Sequence, residues 1–216
     1  MVAQAVNQAG MMPYGGQVAP APVMQQPVAD PYNQLVGYAY PQHEAMNYVR
    51  MLDGTLAISD GKTSFDSFQS TINNMLSKPG GSIGLLGILA TPDMEHNGHW
   101  TIYHKVLQED PCFMEFLIAT NKRYDPGMQG NVPTCSPDSG LNAKDRFGYS
   151  PFVRASEKGR VIIVQMLFEG GADRLSTVTG TTKNAVDCAA EKGQTKVVKF
   201  LKDRNIHSNQ GCCVIM

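Results

Sequence analysis

Side chains that could carry covalent or metal chemistry are few and widely spaced in this sequence. The five cysteines are Cys112, Cys135, Cys188, Cys212 and Cys213. His96, His99, His104 and Cys112 are ligand types that zinc accepts, but their spacing matches no familiar zinc pattern. The sequence contains no glycine-rich phosphate loop, no G-x-S-x-G motif and no paired-carboxylate motif in a helical frame. We therefore predict a protein that is not an enzyme and holds no metal or cofactor.

Composition restricts the function classes further. The chain has 216 residues, of which 42% are hydrophobic and 17% charged, so a packed core and an uncharged, low-complexity region are both expected. A net charge of -1 indicates neither nucleic acid nor an acidic substrate as a partner. The odd number of scattered cysteines favours a reducing cytosolic setting. No secretory signal or membrane-spanning stretch is present, so a membrane contact would need an anchor or a partner.

The first part of the chain has no helical or strand period. Residues 1–41 are rich in Gln, Ala, Pro, Gly, Met and Tyr, and we predict a disordered tail. It would serve as a spacer or as a flexible arm with weak tyrosine contacts. Helical spacing begins afterwards and predicts a helical cap or docking region over 42–96. Its apolar positions are Ala45, Tyr48, Val49 and Leu52, then Phe65, Phe68, Ile72 and Leu76, then the stretch 83–89 after Gly80-Gly81.

The strongest internal signal is a repeat with an offset of 34 residues. The segment 150–173 aligns with 184–205, and Glu157-Lys158-Gly159 falls on Glu191-Lys192-Gly193. Such an offset is typical of solenoid repeats. Each unit predicts a helix, a turn at the glycine and a second helix. The glycine marks the turn because a positive φ costs little energy only for glycine.

These residues resemble the ankyrin-repeat family. SPFVRA at 150–155 stands in the place of the family's T-P-L-H-x-A, and Gly171-Ala172-Asp173 resembles its usual ending. Upstream, Thr101 to Val106 resembles the same motif and includes His104, whose expected role is a structural hydrogen bond. The resemblance implies an all-α solenoid of about three repeats over 97–205 with a degenerate N-terminal helical cap. It implies a concave surface that binds a protein partner, and no chemistry.

A long insertion separates the first repeat from the second, at about 121–142. It is interpreted either as a specificity loop or as a tolerated excursion. Trp100, Phe147 and Tyr149 lie near the predicted finger tips, and we predict them as partner contacts because aromatic residues are preferred interface anchors. Packing of Trp100 between neighbouring repeats is the alternative.

Basic residues recur near the end of the repeats, at Lys192, Lys196, Lys199 and Lys202. Their spacing of four, seven and ten residues predicts that three of them share one helix face. They could provide the polar outer face that a terminal repeat needs for solubility. They could also face an anionic membrane, where each would contribute about 1 kcal/mol.

The last four residues, Cys213-Val214-Ile215-Met216, combine a cysteine, two aliphatic residues and a methionine. They resemble a CaaX prenylation box of the farnesyl-preferring kind. The resemblance implies that a prenyltransferase lipidates Cys213, that residues 214–216 are removed and that the new carboxylate is methylated. Since one lipid chain gives only reversible membrane residence, Cys212 is a candidate palmitoylation site. The alternative is a pair of incidental thiols in a tail that spans 206–216.

Together these patterns predict a membrane-anchored, non-enzymatic ankyrin adaptor. It would bind a host or cellular protein at the cytosolic face of a eukaryotic membrane through prenylated Cys213. The combination resembles effectors that intracellular bacteria inject into host cells, although a native eukaryotic peripheral protein fits the same residues. The alternative function is a soluble ankyrin regulator, or a substrate receptor of a larger enzyme, in which CVIM is incidental.

Overall fold

The computed structural model describes residues 42–78, 81–93, 98–124 and 140–209, and these residues are all-helical with no strand. The helices are α1 Gln42–Leu56, α2 Gly61–Leu76, α3 Gly81–Ala90, α4 Ile102–Lys105, α5 Pro111–Tyr124, α6 Pro151–Glu157, α7 Val161–Glu169, α8 Ala185–Glu191 and α9 Thr195–Lys202. A 3₁₀ turn, Val106–Gln108, extends α4. The predicted tail 1–41, most of the insertion and the two terminal cysteines lie outside the described residues.

The apolar spacing of the first region marks five positions of α1 and α2 that are buried, whereas two others of the predicted set, Phe65 and Leu76, are only partly buried. Tyr48, Val49 and Leu52 of α1 are buried, and Phe68 and Ile72 of α2 are fully buried. Burying a side chain of this size contributes about 1.5–3 kcal/mol. These residues therefore anchor α1 and α2 in a hydrophobic core.

The start of α2 depends on Asp60, which the apolar pattern does not mark. Its carboxylate accepts the backbone N–H groups of Lys62 and Thr63, so Asp60 is the N-cap. The nearby Ser64 has another role, because its buried hydroxyl donates to the Thr55 carbonyl at 2.6 Å. That hydrogen bond ties the start of α2 to the end of α1.

The remaining helices form two rows of three. In the inner row α4 packs on α6 and α6 packs on α8, while in the outer row α5 packs on α7 and α7 packs on α9. Each inner helix is followed in the chain by its outer partner, and in the second and third pairs the two helices are in direct contact. The recurring unit is therefore a pair of helices.

Turns of the same geometry connect the two helices within the second pair and within the third pair. Gly159 and Gly193 have φ values of +71° and +68°, as the repeat predicts. After each glycine, the next backbone N–H donates to the carbonyl of a helical alanine, Ala155 at 3.0 Å and Ala189 at 2.8 Å. This bond and the companion bond from each glycine N–H form a Schellman cap that reverses the chain. The hydrogen bonds of the turn therefore recur after 34 residues, as the sequence pattern does.

Helices α1–α3 cover the first end of the two rows. Helix α1 packs on α4 and α2 packs on α5. Helix α3 packs on both α4 and α5. The rings of Phe65 and Phe68 meet Phe113 of α5 edge to face, each with centroids 5.2 Å apart. The N-terminal helices and the paired helices share one hydrophobic core.

The described ends of the predicted insertion belong to this core. Asn121 lies within α5 with 1% of its surface exposed, and Leu141 is fully buried. The side chain of Tyr103 donates to the Asn121 amide oxygen at 3.3 Å. The excess of residues between the first two pairs is therefore narrower than 121–142.

Candidate binding groove

The loop 145–149, which leads into α6, is built around one carboxylate. Asp145 has a fully buried side chain, and it accepts the backbone N–H groups of Phe147 at 2.9 Å and Tyr149 at 3.0 Å. Its own N–H donates to the Tyr149 carbonyl at 2.9 Å. These bonds close the loop and leave Phe147 at its tip, with 56% of its surface exposed. The loop conformation therefore fixes an exposed aromatic side chain.

Neighbouring loops are hydrogen-bonded to one another. The Arg146 N–H donates to the Gly98 carbonyl at 2.9 Å, and the Thr179 N–H donates to the Gly148 carbonyl at 3.1 Å. Residues of three successive loops are thereby held in a row beside the inner helices. These hydrogen bonds fix the position of Trp100, two residues after Gly98, relative to Phe147.

Arg154 of α6 is the central cation of this surface. Its guanidinium is bonded to Asp145, with Nε at 3.0 Å, and to Glu157 at 2.8 Å. The same group lies 3.8 Å from the ring centre of Tyr149. Burial opposes the charged form, but the bonds to both carboxylates outweigh it and raise the pKa of Arg154. Arg154 is a fixed positive charge.

A groove of about 510 Å³ lies along these residues, and it is lined by Gly98, Trp100, Phe147, Arg154, Glu157, Lys158 and Lys192. Lys158 Nζ lies 5.5 Å from the Trp100 ring centre. Lys192 Nζ lies 3.9 Å from a carboxylate oxygen of Glu157. The groove thus spans all three helix pairs and combines aromatic walls with cations.

The structure brings two of the three predicted aromatic contacts together. Trp100 and Phe147 line the same groove. Tyr149 is half-buried and packs against the core beneath Arg154. Tyr149 therefore supports Arg154 instead of presenting its own ring to the groove.

The four predicted lysines fall into two groups. Lys192 is the C-cap of α8 and lines the groove, whereas Lys196, Lys199 and Lys202 are exposed on α9, after the Gly193 turn. Lys199 and Lys202 border a second depression of about 340 Å³ beside Val198. The turn breaks the helical spacing on which the four-residue set was based.

His104 has the structural role that the sequence predicts. One ring nitrogen lies 2.9 Å from the Thr101 hydroxyl and the other lies 2.9 Å from the Tyr149 carbonyl. Burial is the main reason that its pKa falls to about 4, and Arg154 lowers it slightly; the Tyr149 bond and Asp145 act in the opposite direction. His104 is therefore a neutral link from α4 to the next loop.

The two described cysteines lack the features of nucleophiles. Burial is the largest cause that raises the pKa of Cys112 and of Cys188 to about 11, and Asp110 adds to the effect at Cys112. A protonated thiol is a poor nucleophile and a poor metal ligand. Among the described residues, no group of three or more His, Cys, Asp or Glu side chains could hold a metal ion.

Residues 207–209 are fixed to the start of α8. The Asn184 amide donates to the His207 carbonyl at 2.6 Å, and the Asn209 N–H donates to the Asp187 carboxylate at 3.2 Å. The Ser208 hydroxyl donates to the same carboxylate. The chain is therefore held against the last inner helix up to Asn209.

Arg154, Glu157 and Lys158 line the groove but were absent from the predicted site. The repeat contained a signal for two of them. Glu157-Lys158-Gly159 aligns with Glu191-Lys192-Gly193, and a stacked repeat places equivalent residues on the same side. Arg154 had no such signal, because its role depends on the distant Asp145.

Comparison of the sequence with models of known protein families and with curated proteins gave no match. None of the described helices has the length and apolar character needed to cross a lipid bilayer.

Proposed function

We propose that this chain is a non-enzymatic ankyrin-repeat adaptor that binds a protein partner in its groove. A prenyl group on Cys213 would hold it at the cytosolic face of a eukaryotic membrane. In an injected bacterial effector, that membrane would belong to the host cell. The adaptor role needs no catalytic residue.

The recurrence of helix pairs supports the ankyrin assignment. Sequence identities, the positive φ values at Gly159 and Gly193, and the hydrogen bonds around them all repeat with the same offset. His104 joins its own helix to the following loop through the Tyr149 carbonyl. These contacts are local to neighbouring units, as in a repeat array.

The observation that carries the binding function is the exposed Phe147 beside Trp100 in a groove. Phe147 retains 56% exposure although its loop is held by several hydrogen bonds. An aromatic side chain on a rigid loop loses little conformational freedom when it is buried by a partner. Such residues are typical anchors of protein interfaces.

Substitution of Phe147 by alanine tests the binding function. Proximity labelling or cross-linking in eukaryotic cells should identify a main partner protein for the wild type. The Phe147→Ala variant should no longer label that partner. Ile162→Ala is the matched control, because Ile162 is 61% exposed but lies on the outer helix α7. Equal labelling by the wild type and Phe147→Ala would refute the groove as the binding surface.

The anchor is proposed from the CVIM motif. Feeding cells an isoprenoid analogue should label the wild-type protein and leave Cys213→Ser unlabelled and in the soluble fraction. Cys212→Ser should keep the isoprenoid label, and its loss of membrane binding would reveal a second lipid on Cys212. An unlabelled wild type would exclude the membrane-anchored form and favour a soluble regulator.

A further inference from the structure

We propose that the groove recognises an acidic, extended protein segment that carries an apolar side chain between its carboxylates. This inference rests on the proposed binding function and specifies the chemistry of the partner. It depends on the charges of the groove and on the two aromatic residues that line it.

The groove has an excess of positive charge that the composition hides. Arg154, Lys158 and Lys192 line it, and Glu157 is its only acidic lining residue in the described part of the chain. Glu157 is bonded to Arg154 at 2.8 Å and lies 3.9 Å from Lys192, and the buried Asp145 also pairs with Arg154, so three cations face two carboxylates. Because the whole chain has a net charge of -1, this positive region is local. Local charge of one sign attracts a partner of the opposite sign.

Lys158 and Lys192 are the two exposed cations of the groove, and the long 3.9 Å contact of Lys192 with Glu157 leaves its ammonium group accessible to a carboxylate of a partner. Both are exposed, and they are the C-caps of the neighbouring inner helices α6 and α8. Packed helices lie about 8–10 Å apart. An extended chain advances about 3.3 Å per residue. Carboxylates two or three residues apart would therefore match the spacing of the two helix ends that carry these lysines.

Between the cations and the loops, the groove offers apolar surface. Trp100 lies under Lys158, and Phe147 stands at the exposed tip of its loop. An apolar side chain of the partner would contact these rings while its neighbouring carboxylates reach the lysines. A flat membrane surface cannot enter a recess of this kind. A single-stranded nucleic acid would stack its bases on these rings, so a short DNA strand is the competing ligand in the binding test.

Trp100 allows a direct binding measurement, because it is the only tryptophan of the chain and it lines the groove. The full-length protein is titrated with a short soluble peptide in which aspartates alternate with serines around one central leucine. We expect a saturable change in Trp100 fluorescence emission, and we expect the affinity for the peptide to fall as salt is added. A peptide with asparagine in place of aspartate, and one with serine in place of leucine, should bind more weakly.

Charge-reversal variants separate the groove from the rest of the surface. Lys158→Glu and Lys192→Glu should each weaken peptide binding by about tenfold or more. Lys196→Glu makes the same charge change on α9 and should bind as the wild type does. All three sites are exposed, so urea unfolding should show that the variants remain folded.

Several outcomes would overturn the proposal. Equal binding of the asparagine peptide, or equal effects of Lys158→Glu and Lys196→Glu, would remove the acidic specificity. A Trp100 response to anionic vesicles or to a short DNA strand, without a response to the peptide, would assign the groove to another ligand. Loss of acidic specificity together with Phe147-dependent protein binding would leave the proposed function intact.

Discussion

Lys105 and Arg154 occupy equivalent positions in the first and second inner helices, α4 and α6, yet their surroundings differ. Each lies in an inner helix and pairs with an acid at the base of the preceding loop, Asp93 at 2.8 Å for Lys105 and Asp145 for Arg154. Both acids also donate their N–H to a carbonyl near the start of the helix, at 3.0 and 2.9 Å. The same polar arrangement thus occurs twice.

The second carboxylate makes the difference. Lys105 binds Asp53 of α1 at 2.7 Å, whereas Arg154 binds Glu157 of its own helix at 2.8 Å. Helix α1 therefore closes the surface over Lys105 and leaves Lys105 only 8% exposed. No described helix closes over Arg154 in this way, and its side chain, 13% exposed, lines the groove. The same pairing of a cation with a loop carboxylate therefore joins two helices at Lys105 and lines the groove at Arg154. The difference is the element that supplies the second carboxylate, α1 for Lys105 and α6 itself for Arg154.

Among the substitutions considered, loss of the Lys105 cation should reduce the free energy of unfolding most. Lys105→Met would leave Asp93 and Asp53 close together without their cation, and should lower the free energy of unfolding by about 3 kcal/mol. Urea unfolding provides the measurement. Lys196→Met, at an exposed site on α9, is the control and should have little effect. An unchanged midpoint for Lys105→Met would show that α1 is not held by this junction.

His104 should make stability depend on pH in a defined window. Its folded-state pKa of about 4 lies below the ordinary 6.5, so the unfolded chain binds a proton that the folded chain does not. Stability should therefore fall as the pH falls below 6.5. By pH 4.5 the loss from His104 should reach about 2.5 kcal/mol.

The His104→Gln variant isolates this contribution from those of the carboxylates. Its unfolding free energy should fall less than that of the wild type between pH 6.5 and 4.5. His207→Gln, at an exposed side chain, should retain the wild-type slope. Identical slopes for wild type and His104→Gln would exclude a buried neutral His104.

The two glycine turns differ in what lies against them. A Cβ at Gly159 would collide with the Gln194 side chain, whereas a Cβ at Gly193 would meet nothing within 4 Å. Both positions have positive φ, so alanine at either should cost about 1 kcal/mol. Gly159→Ala should cost somewhat more, because the end of the flexible Gln194 side chain must move aside. Thermal or urea unfolding compares the two. Adding Gln194→Ala should remove most of the difference, and persistence of the full difference would contradict the steric explanation.

The smallest effect is expected at Asp187, which occupies the place in its unit that His104 occupies in the first. Asp187→Ala removes the capping box of α8 and the bonds to 208–209, and should cost about 1 kcal/mol. Hydrogen exchange at the Asn209 amide should accelerate. Lys199→Ala should leave that amide protected. Unchanged protection in Asp187→Ala would show that another contact holds the segment.

Local patterns predicted the elements of this fold well. The spacing of Val49, Leu52, Phe68 and Ile72 marked buried helix faces, and the repeat marked the turns at Gly159 and Gly193. These features depend on residues a few positions apart, or on an internal repeat that keeps its turn residues. Both are visible in a single sequence.

The chemistry of the groove was only partly predictable. Trp100 and Phe147 stood out as aromatic residues near loop tips, but the pairings of Lys105 with Asp53 and of Lys192 with Glu157 join residues far apart in sequence. Lys192 was assigned to the helix that follows it, because spacing was counted across a chain reversal. Contacts made by folding cannot be read from spacing within one segment.

The attachment of Ser208 and Asn209 to Asp187 determines how freely a lipidated form could move. Cys213 is the fourth residue after Asn209, so a fully extended connection would measure at most about 14 Å. That reach is about half the thickness of the hydrocarbon core of a bilayer. With a lipid on Cys213, the helical part of the chain could not move further than this from the headgroups, and the end of the two helix rows formed by α8 and α9 would stay beside the membrane.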